Sequence, residues 1–279
     1  MNKTLTLVAM ALALSTNAFA WPDKTITLVV PFPAGGATDA LARTLTPKLQ
    51  EKLKQNVIVD NKAGATGTIG AGFVKRAPAD GYTLLVTSLG PLVIAPYLLA
   101  KVPYDASKDF DYLTVAVQAP NVLVVPASSP YKTMAELIAA EKANPGKLTF
   151  ASAGTGTSDH LSAELFWLQS GTSGLHVPYK GAAPAITDLL GGQVDAAFQN
   201  INNVLPHITA GKLRVLAIAA PKRSPLLPNV PTLTESGVKD ADATPRHGVV
   251  APKGLPPAVK AQIHAALLDA LADPAGQQK

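Results

Sequence analysis

Two short stretches carry residue types that suit an anion site. PFPAGGATDALAR, residues 31–43, joins the apolar run TITLVV to a segment with helical spacing. Gly35 and Gly36 let the backbone turn sharply and approach a ligand closely. A helix starting just after them offers unpaired N–H groups and a partial positive charge. No lysine and Ser/Thr follow the glycines as in a Walker A loop, and the G-x-G-x-x-G spacing is absent, which argues against a triphosphate or a dinucleotide. The plain alternative is a tight strand-to-helix connection in which Asp39 caps the turn or pairs with Arg43 four residues on. ASAGTGTSDHLSAEL, residues 151–165, is the matching stretch. Ser152, Thr155, Thr157 and Ser158 supply hydroxyls, Gly154 and Gly156 supply backbone freedom, and a helix follows directly. Set across a cleft from the first turn, it suits a ligand with two carboxylates, or one carboxylate and another polar end. Helix capping by Thr157 or Ser158 is the plain alternative.

Single residues say less. His160 is placed to hydrogen-bond a ligand or to act as a structural donor. Asp195, in GGQVDAAFQN, is placed to meet a ligand amine or hydroxyl, or to cap a neighbouring element. GATGTIGAG, residues 64–72, has glycines three apart and no cation, which favours packing of a helix against a sheet.

Catalytic sets are hard to assemble. Ser158, Asp159 and His160 are consecutive, and neighbours on one helical turn do not form a relay. There is no G-x-S-x-G elbow, and Ser129-Pro-Tyr-Lys132 lacks the companion motifs of an S-x-x-K enzyme. The five histidines show no H-E-x-x-H and no i,i+4 pair, and cysteine is absent, which excludes thiol catalysis and thiolate metal sites. An exported enzyme using His160 or Asp195 as base remains the rival to a binding protein.

The elements that must position these turns alternate. Thr25–Val30 reads as a strand, and Leu41, Leu45, Leu49 and Leu53 form one helical stripe, with Pro47 expected to kink it. Val57–Val59 is a strand, a short glycine-rich helix follows, and Tyr82–Thr87 is the next strand. That is a β-α-β-α-β half of a mostly parallel, doubly wound sheet. A second half starts near Asn121 with the strand VLVVP. A helix capped by Thr133 and Glu136 follows, then the strand LTFASAG, a helix over about 159–169, the strand HVPY, the helix AAPAITDLL and the strands VDAAF and LRVLAIAA. PAVKAQIHAALLDALAD closes the chain with Val259, Ile263, Leu267 and Leu271 on one face. The apolar run Leu84–Ala100, broken by Gly90, Pro91 and Pro96, reads as buried core.

MNKTLTLVAMALALSTNAFA has Lys3, an apolar stretch from Leu5 to Leu14 and a small-x-small end at Ala18–Ala20, the pattern of a cleaved export leader. The rest of the 279-residue chain is long enough for one large domain or two ordinary ones, and for a core without disulfides. The formal net charge of +5 is spread over scattered lysines with only 15% of residues charged, which argues against a nucleic-acid surface but helps gather anions.

Several blocks in order resemble the Bug-type solute receptors of tripartite tricarboxylate transporters. They are ITLVVPFPAGGATDALAR, VDNKAGATGTIGAGFVKRAPADGYTLLV, VPYDASKDF, LTFASAGTGTSDHLSAELF, VPYKGAAPAITDLLGGQVDAAF, LPHITAGKLRVLAI and LPNVPTLTESG, together spanning about Trp21 to Gly237. The resemblance implies an α/β, type II periplasmic-binding-protein-like fold of two lobes with a ligand cleft between them. Lobe 1 would hold 21–120, lobe 2 121–225, and 226–279 would return to lobe 1, with chain crossings near 119–123 and 221–232. It implies that the first loop, with Phe32, Pro33, Ala34, Gly35, Gly36, Thr38 and Asp39, holds a ligand carboxylate through main-chain N–H groups and ordered water. Ser88 matches another cleft position. Lobe 2 would contribute Ser152, Gly154, Thr155, Gly156, Thr157 and His160, and the region around Asp195. The expected protein is a periplasmic monomer without cofactor or metal, handing a mono- or dicarboxylate to a membrane permease, or reporting it to a sensor. Two departures stand out: Pro245 to Pro252 lacks the aromatic usual before its glycine, with Arg246 expected to be exposed, and the chain ends at Lys279, several elements short of the family's usual length.

Overall fold

The computed structural model describes residues 21–88, 90–241 and 244–273; the expected leader lies outside them. β1 (Ile26–Val30), α1 (Ala37–Leu53), β2 (Val57–Asn61), α2 (Thr68–Lys75) and β3 (Thr83–Ser88) make the first β-α-β-α-β unit, with β1 parallel to both β2 and β3. β1 is apolar almost throughout because both its faces are covered. Leu28 and Val30 pack with Leu41, Leu45 and Leu49 of α1, while Val29 packs with Ala71 and Val74 of α2 on the other side. α1 runs unbroken through Pro47, whose neighbours Leu45 and Leu49 are both fixed in the core.

A short helix, α3 (Ala95–Leu98), and β4 (Phe110–Gln118) lead to the second sheet. There β5 (Asn121–Pro126), α4 (Met134–Ala143), β6 (Thr149–Ser152), α5 (Ser158–Ser170), β7 (Leu175–Pro178), α6 (Ala182–Leu190), β8 (Ala196–Asn200), α7 (Ile201–Thr209) and β9 (Leu213–Ala219) follow. β10 (Arg246–Pro252) and α8 (Pro257–Ala272) return to the first sheet, where Ile263 and Leu267 of α8 pack beside α1. The two sheets have orders β2-β1-β3-β10-β4 and β7-β6-β8-β5-β9, each with one central antiparallel strand. Two mixed α/β sheets therefore form two lobes. Phe150, Phe166 and Phe198 are fully buried in the second core, where removing one such ring costs about 3–5 kcal/mol.

The chain crosses between sheets at Ala119-Pro120 and again between Ala241 and Arg246, and Arg246 pairs with Gln118 so that the two crossings lie side by side. The return comes later than the crossing expected near 221–232. Leu233, Val238 and Ala241 are buried in the second core, and the Ile218 N–H donates to Pro231 O at 2.9 Å, so 226–241 stays with the second sheet. The run Leu84–Ala100 divides: Leu84, Leu85, Val86, Leu92 and Ala95 are buried as expected, but Val93, Tyr97 and Leu98 are exposed. No described helix is long and apolar enough to cross a membrane.

Candidate ligand site between the two lobes

The candidate turns lie at the carboxyl ends of β1 and β6, where the strand order of each sheet reverses and open α/β sheets form their binding crevices. In the first turn Asp39 does the holding. Its Oδ2 accepts the Gly35 N–H at 3.0 Å and Arg43 Nε at 2.9 Å, and its Oδ1 accepts Asn61 Nδ2 at 3.0 Å. Asn61 Nδ2 also donates to Phe32 O at 3.0 Å. Burial works to raise the Asp39 carboxyl, but Arg43, the Gly35 N–H and Asn61 outweigh it and hold it below the usual range. Gly35 sits at φ +88°, where a side chain would be strained, and forms an exposed tip with Ala34.

The second turn is tied differently. Asp159 Oδ2 accepts the Ala153 N–H at 2.8 Å, and burial pushes this carboxyl up, only partly offset by its N–H and hydroxyl partners and by His160. Ser152 Oγ lies 2.6 Å from His176 Nε2 and accepts the Gly154 N–H at 3.1 Å. Thr157 Oγ1 donates to Gly154 O at 2.7 Å. The Gly156 N–H donates to His160 Nδ1 at 3.0 Å, which leaves the ring proton on Nε2, facing Glu164 Oε1 at 3.3 Å. His160 stacks on His176, whose pKa burial, with a contribution from His160, lowers to about 4.

Between these turns lies a chamber of about 60 Å³, room for a carboxylate-sized group. The first lobe lines it with Phe32, Pro33, Gly36, Ala37, Thr38 and Ser88, and with His247 from β10. The second lobe contributes Thr157, Ser158 and Asp159, then Gly181 and Ala182, then Asn200 and Asn203. Four helices, α1, α5, α6 and α7, thus start at its wall, and the first three have N-cap residues that make no side-chain cap, whereas Asn200 caps α7. Orphan N–H groups at three helix starts, with no Lys or Arg in the lining, are what an uncharged-donor anion site requires. The lobes touch here: a Cβ built on Gly36 would lie 4.0 Å from Ala182 Cβ, and Thr66 Oγ1 donates across to Thr155 O at 2.7 Å.

Of the residues expected at a site, Phe32, Pro33, Gly36, Thr38, Ser88 and Thr157 are brought together at this wall. Gly35, Asp39, Ser152 and His160 stand behind it, their polar atoms committed to shaping the turns. Gly154, Thr155 and Gly156 sit to one side, where Gly154 and Thr155 border a second gap and Thr155 and Gly156 meet Thr66 of the other lobe. Asp195 is a correction. It lies at the amino end of β8, away from the cleft, and its Oδ2 accepts both the N–H and the hydroxyl of Thr149, at 2.8 and 2.7 Å, so it staples β6 to β8. Gly181, Ala182, Asn200, Asn203 and His247 were not anticipated. The signal for Gly181 was present: YKGAAP repeats the strand, glycine, helix pattern of the other turns. Asn200 caps α7 through its Oδ1, accepting the Asn202 N–H at 3.2 Å, but Pro206 obscured that helix in the sequence. Arg246 is exposed, as expected. No cluster of metal-ligating side chains occurs among the described residues.

Two α/β lobes meeting at a chamber walled by helix N-termini have the architecture of a solute-binding receptor. Comparison with known proteins gives the family. The profile described as tripartite tricarboxylate transporter family receptor, TctC, matches residues 41–279, and the chain belongs to that family of periplasmic solute receptors, which are not enzymes. Protein BugT of Bordetella pertussis is 40% identical over 93% of this chain and 82% of its own. A Rhodopseudomonas palustris protein, Rpa4515, solved with adipate, superposes with a TM-score of 0.89 at 35% identity, covering 92% of this chain and 86% of the other. MatC from Rhodopseudomonas palustris with bound malate superposes with a TM-score of 0.88 at 33% identity, covering 92% and 88%.

Proposed function

We propose that this protein binds a small organic carboxylate between its lobes in the periplasm and delivers it to the permease of a tripartite tricarboxylate transporter. The observation that carries this is the meeting of three uncapped helix N-termini, one from the first lobe and two from the second, at one chamber without a cation. Such donors hold a carboxylate through charge-assisted hydrogen bonds yet release it when the lobes part. The relatives solved with adipate and malate support the ligand class. On this reading residues 1–20 are the export leader, lobe 1 comprises 21–120 and the chain from β10 onward, and lobe 2 the segment between. The side-by-side crossings at 119–120 and just before Arg246 serve as the hinge, so that contacts from both lobes favour the closed state. Phe32, Gly36, Thr38, Ser88 and Thr157 then contact the ligand, and the protein works as a monomer. Native mass spectrometry of protein purified from a periplasmic extract tests this. The expected result is a bound organic acid recovered unchanged after incubation; chemical conversion of the acid, or a leader still attached, would overturn it.

A further inference from the structure

His247, like Asn203, is a polar side chain at the chamber that the receptor reading leaves without a task. It is 6% exposed, it lines the 60 Å³ chamber, and it also lines a wider one of about 230 Å³ that opens beside it. Among the described residues no hydrogen bond or ion pair engages its ring, although its neighbours Asn200 and Ser88 are fixed by a cap and by strand pairing. Its aim has a structural cause. β10 carries a register shift against β4 between His247 and Gly248, and such bulges re-aim the side chain beside them. Gly248 is required there, since a Cβ would meet Thr114 O at 2.7 Å. Burial lowers the imidazole to about 4, so at neutral pH it presents one N–H donor and one acceptor and no charge.

The two chambers differ in kind. The small one is walled by three uncapped helix starts, whereas the wide one is walled mainly by Leu41 and Leu45 of α1, Val117 of β4 and Ala270 of α8, its polar share being Thr44 and the Asn200-capped start of α7. Neither contains a Lys or Arg among its lining residues. A second carboxylate passing His247 into the wide chamber would meet apolar walls and no cation, and a charge so placed is penalised.

We infer that His247 sets specificity: it hydrogen-bonds a neutral hydroxyl or keto group on a monocarboxylate whose carboxylate sits among the helix starts and whose apolar remainder enters the wide chamber. This rests on the carboxylate-receptor reading and narrows it to one charge per ligand.

The test is calorimetric titration of the full chain with pentanoate, its 2-, 3- and 4-hydroxy derivatives, and glutarate, repeated with His247→Phe and His247→Gln. In the unaltered protein, one hydroxypentanoate binds about three- to tenfold tighter than pentanoate, the worth of one net hydrogen bond. Glutarate binds at least tenfold weaker than that hydroxy acid. His247→Phe removes the hydroxyl preference, so that the hydroxy acids and pentanoate bind alike, whereas His247→Gln, with donor and acceptor retained, keeps most of that preference. The His247 ring nitrogens, followed by 15N NMR in the unaltered protein, shift on adding the preferred hydroxy acid and much less with pentanoate, which gives a readout independent of any variant's folding. A hydroxyl preference unchanged in His247→Phe, unmoved ring resonances, or glutarate as the tightest binder overturns the inference while leaving the receptor reading intact. Absence of binding by every acid overturns both.

Discussion

The turns after β1 and β6 are built on one plan and stabilised in opposite ways. In each, an aspartate in the first turn of the helix reaches back to accept a backbone N–H of the preceding turn: Asp39 from Gly35, Asp159 from Ala153. Asp39 has Arg43 and Asn61 beside it and keeps its charge comfortably. Asp159 has no Lys or Arg partner and is buried, so its carboxyl is pushed up. The first turn is thus a preformed electrostatic unit, whereas the second depends on burial, two hydroxyls and a pair of stacked histidines. On the proposed reading, that asymmetry leaves one half of the anion site preformed and lets the other adjust as the lobes close.

Substitutions at the two facing walls test the comparison most severely. Gly181 lies at φ +126°, and a Cβ there would stand 3.1 Å from Pro33 of the first turn. Gly181→Val combines backbone strain of about 1–3 kcal/mol with a steric wedge between the lobes, so ligand affinity should fall by roughly a hundredfold and the melting temperature should drop as well. Calorimetry paired with thermal unfolding reads both. Gly36 differs, since its φ of −91° suits any residue. Gly36→Val should fold normally yet lose at least roughly tenfold in affinity, because its methyls would reach Ala182 and block the approach of the lobes. A Gly36→Val protein that binds normally would move the site elsewhere.

The aspartates give smaller effects of opposite sign. Asp39→Asn removes the charge that Arg43 and the Gly35 N–H favour, and should cost about 1–2 kcal/mol at neutral pH, a fall of roughly 2–6 °C in melting temperature. Because its folded pKa is depressed, this stability is present above the unfolded value near 3.8 and is lost as pH falls through the lower folded value. Asp159→Asn should be neutral or slightly stabilising at pH 7, since the amide oxygen still accepts the Ala153 N–H and the buried charge is gone. A raised folded pKa makes the native state bind more protons, so the unaltered protein should lose stability as pH rises through that value, and the variant should not. Urea unfolding of both variants between pH 2.5 and 8 would show the Asp159→Asn difference fading as pH falls towards 3.8, and the Asp39→Asn difference fading only below that value; a loss of several kcal/mol in Asp159→Asn at pH 7 would refute the contrast.

Much of this was legible because local rules and global packing agree. The alternation of apolar runs with helical stripes fixed the order of elements, and AAPAITDLL became a helix over just those residues, Ala182–Leu190. The capping box at Thr133 and Glu136 formed as the spacing required. What sequence did not separate was which polar atoms in a turn face a ligand and which build the turn. Ser152 and His160 have the right chemistry for contact, but their bonds run inward, a choice made by tertiary neighbours such as His176, twenty-four residues from Ser152. Asp195 failed for a related reason: its position next to a strand was right, but which end of the sheet faces the cleft depends on strand direction. His247 was invisible as a site residue because β10 reaches the cleft only by returning to pair with β3 and β4 across a long stretch of chain.

The central claim is that two lobes close on a carboxylate held by neutral N–H donors. Isothermal titration calorimetry of ligand-free protein against a panel of mono- and dicarboxylates tests it most directly. The account predicts saturable binding of at least one acid with a stoichiometry of one, weakened in Gly36→Val. A folded, ligand-free protein that gives no heat with any acid in the panel would contradict it.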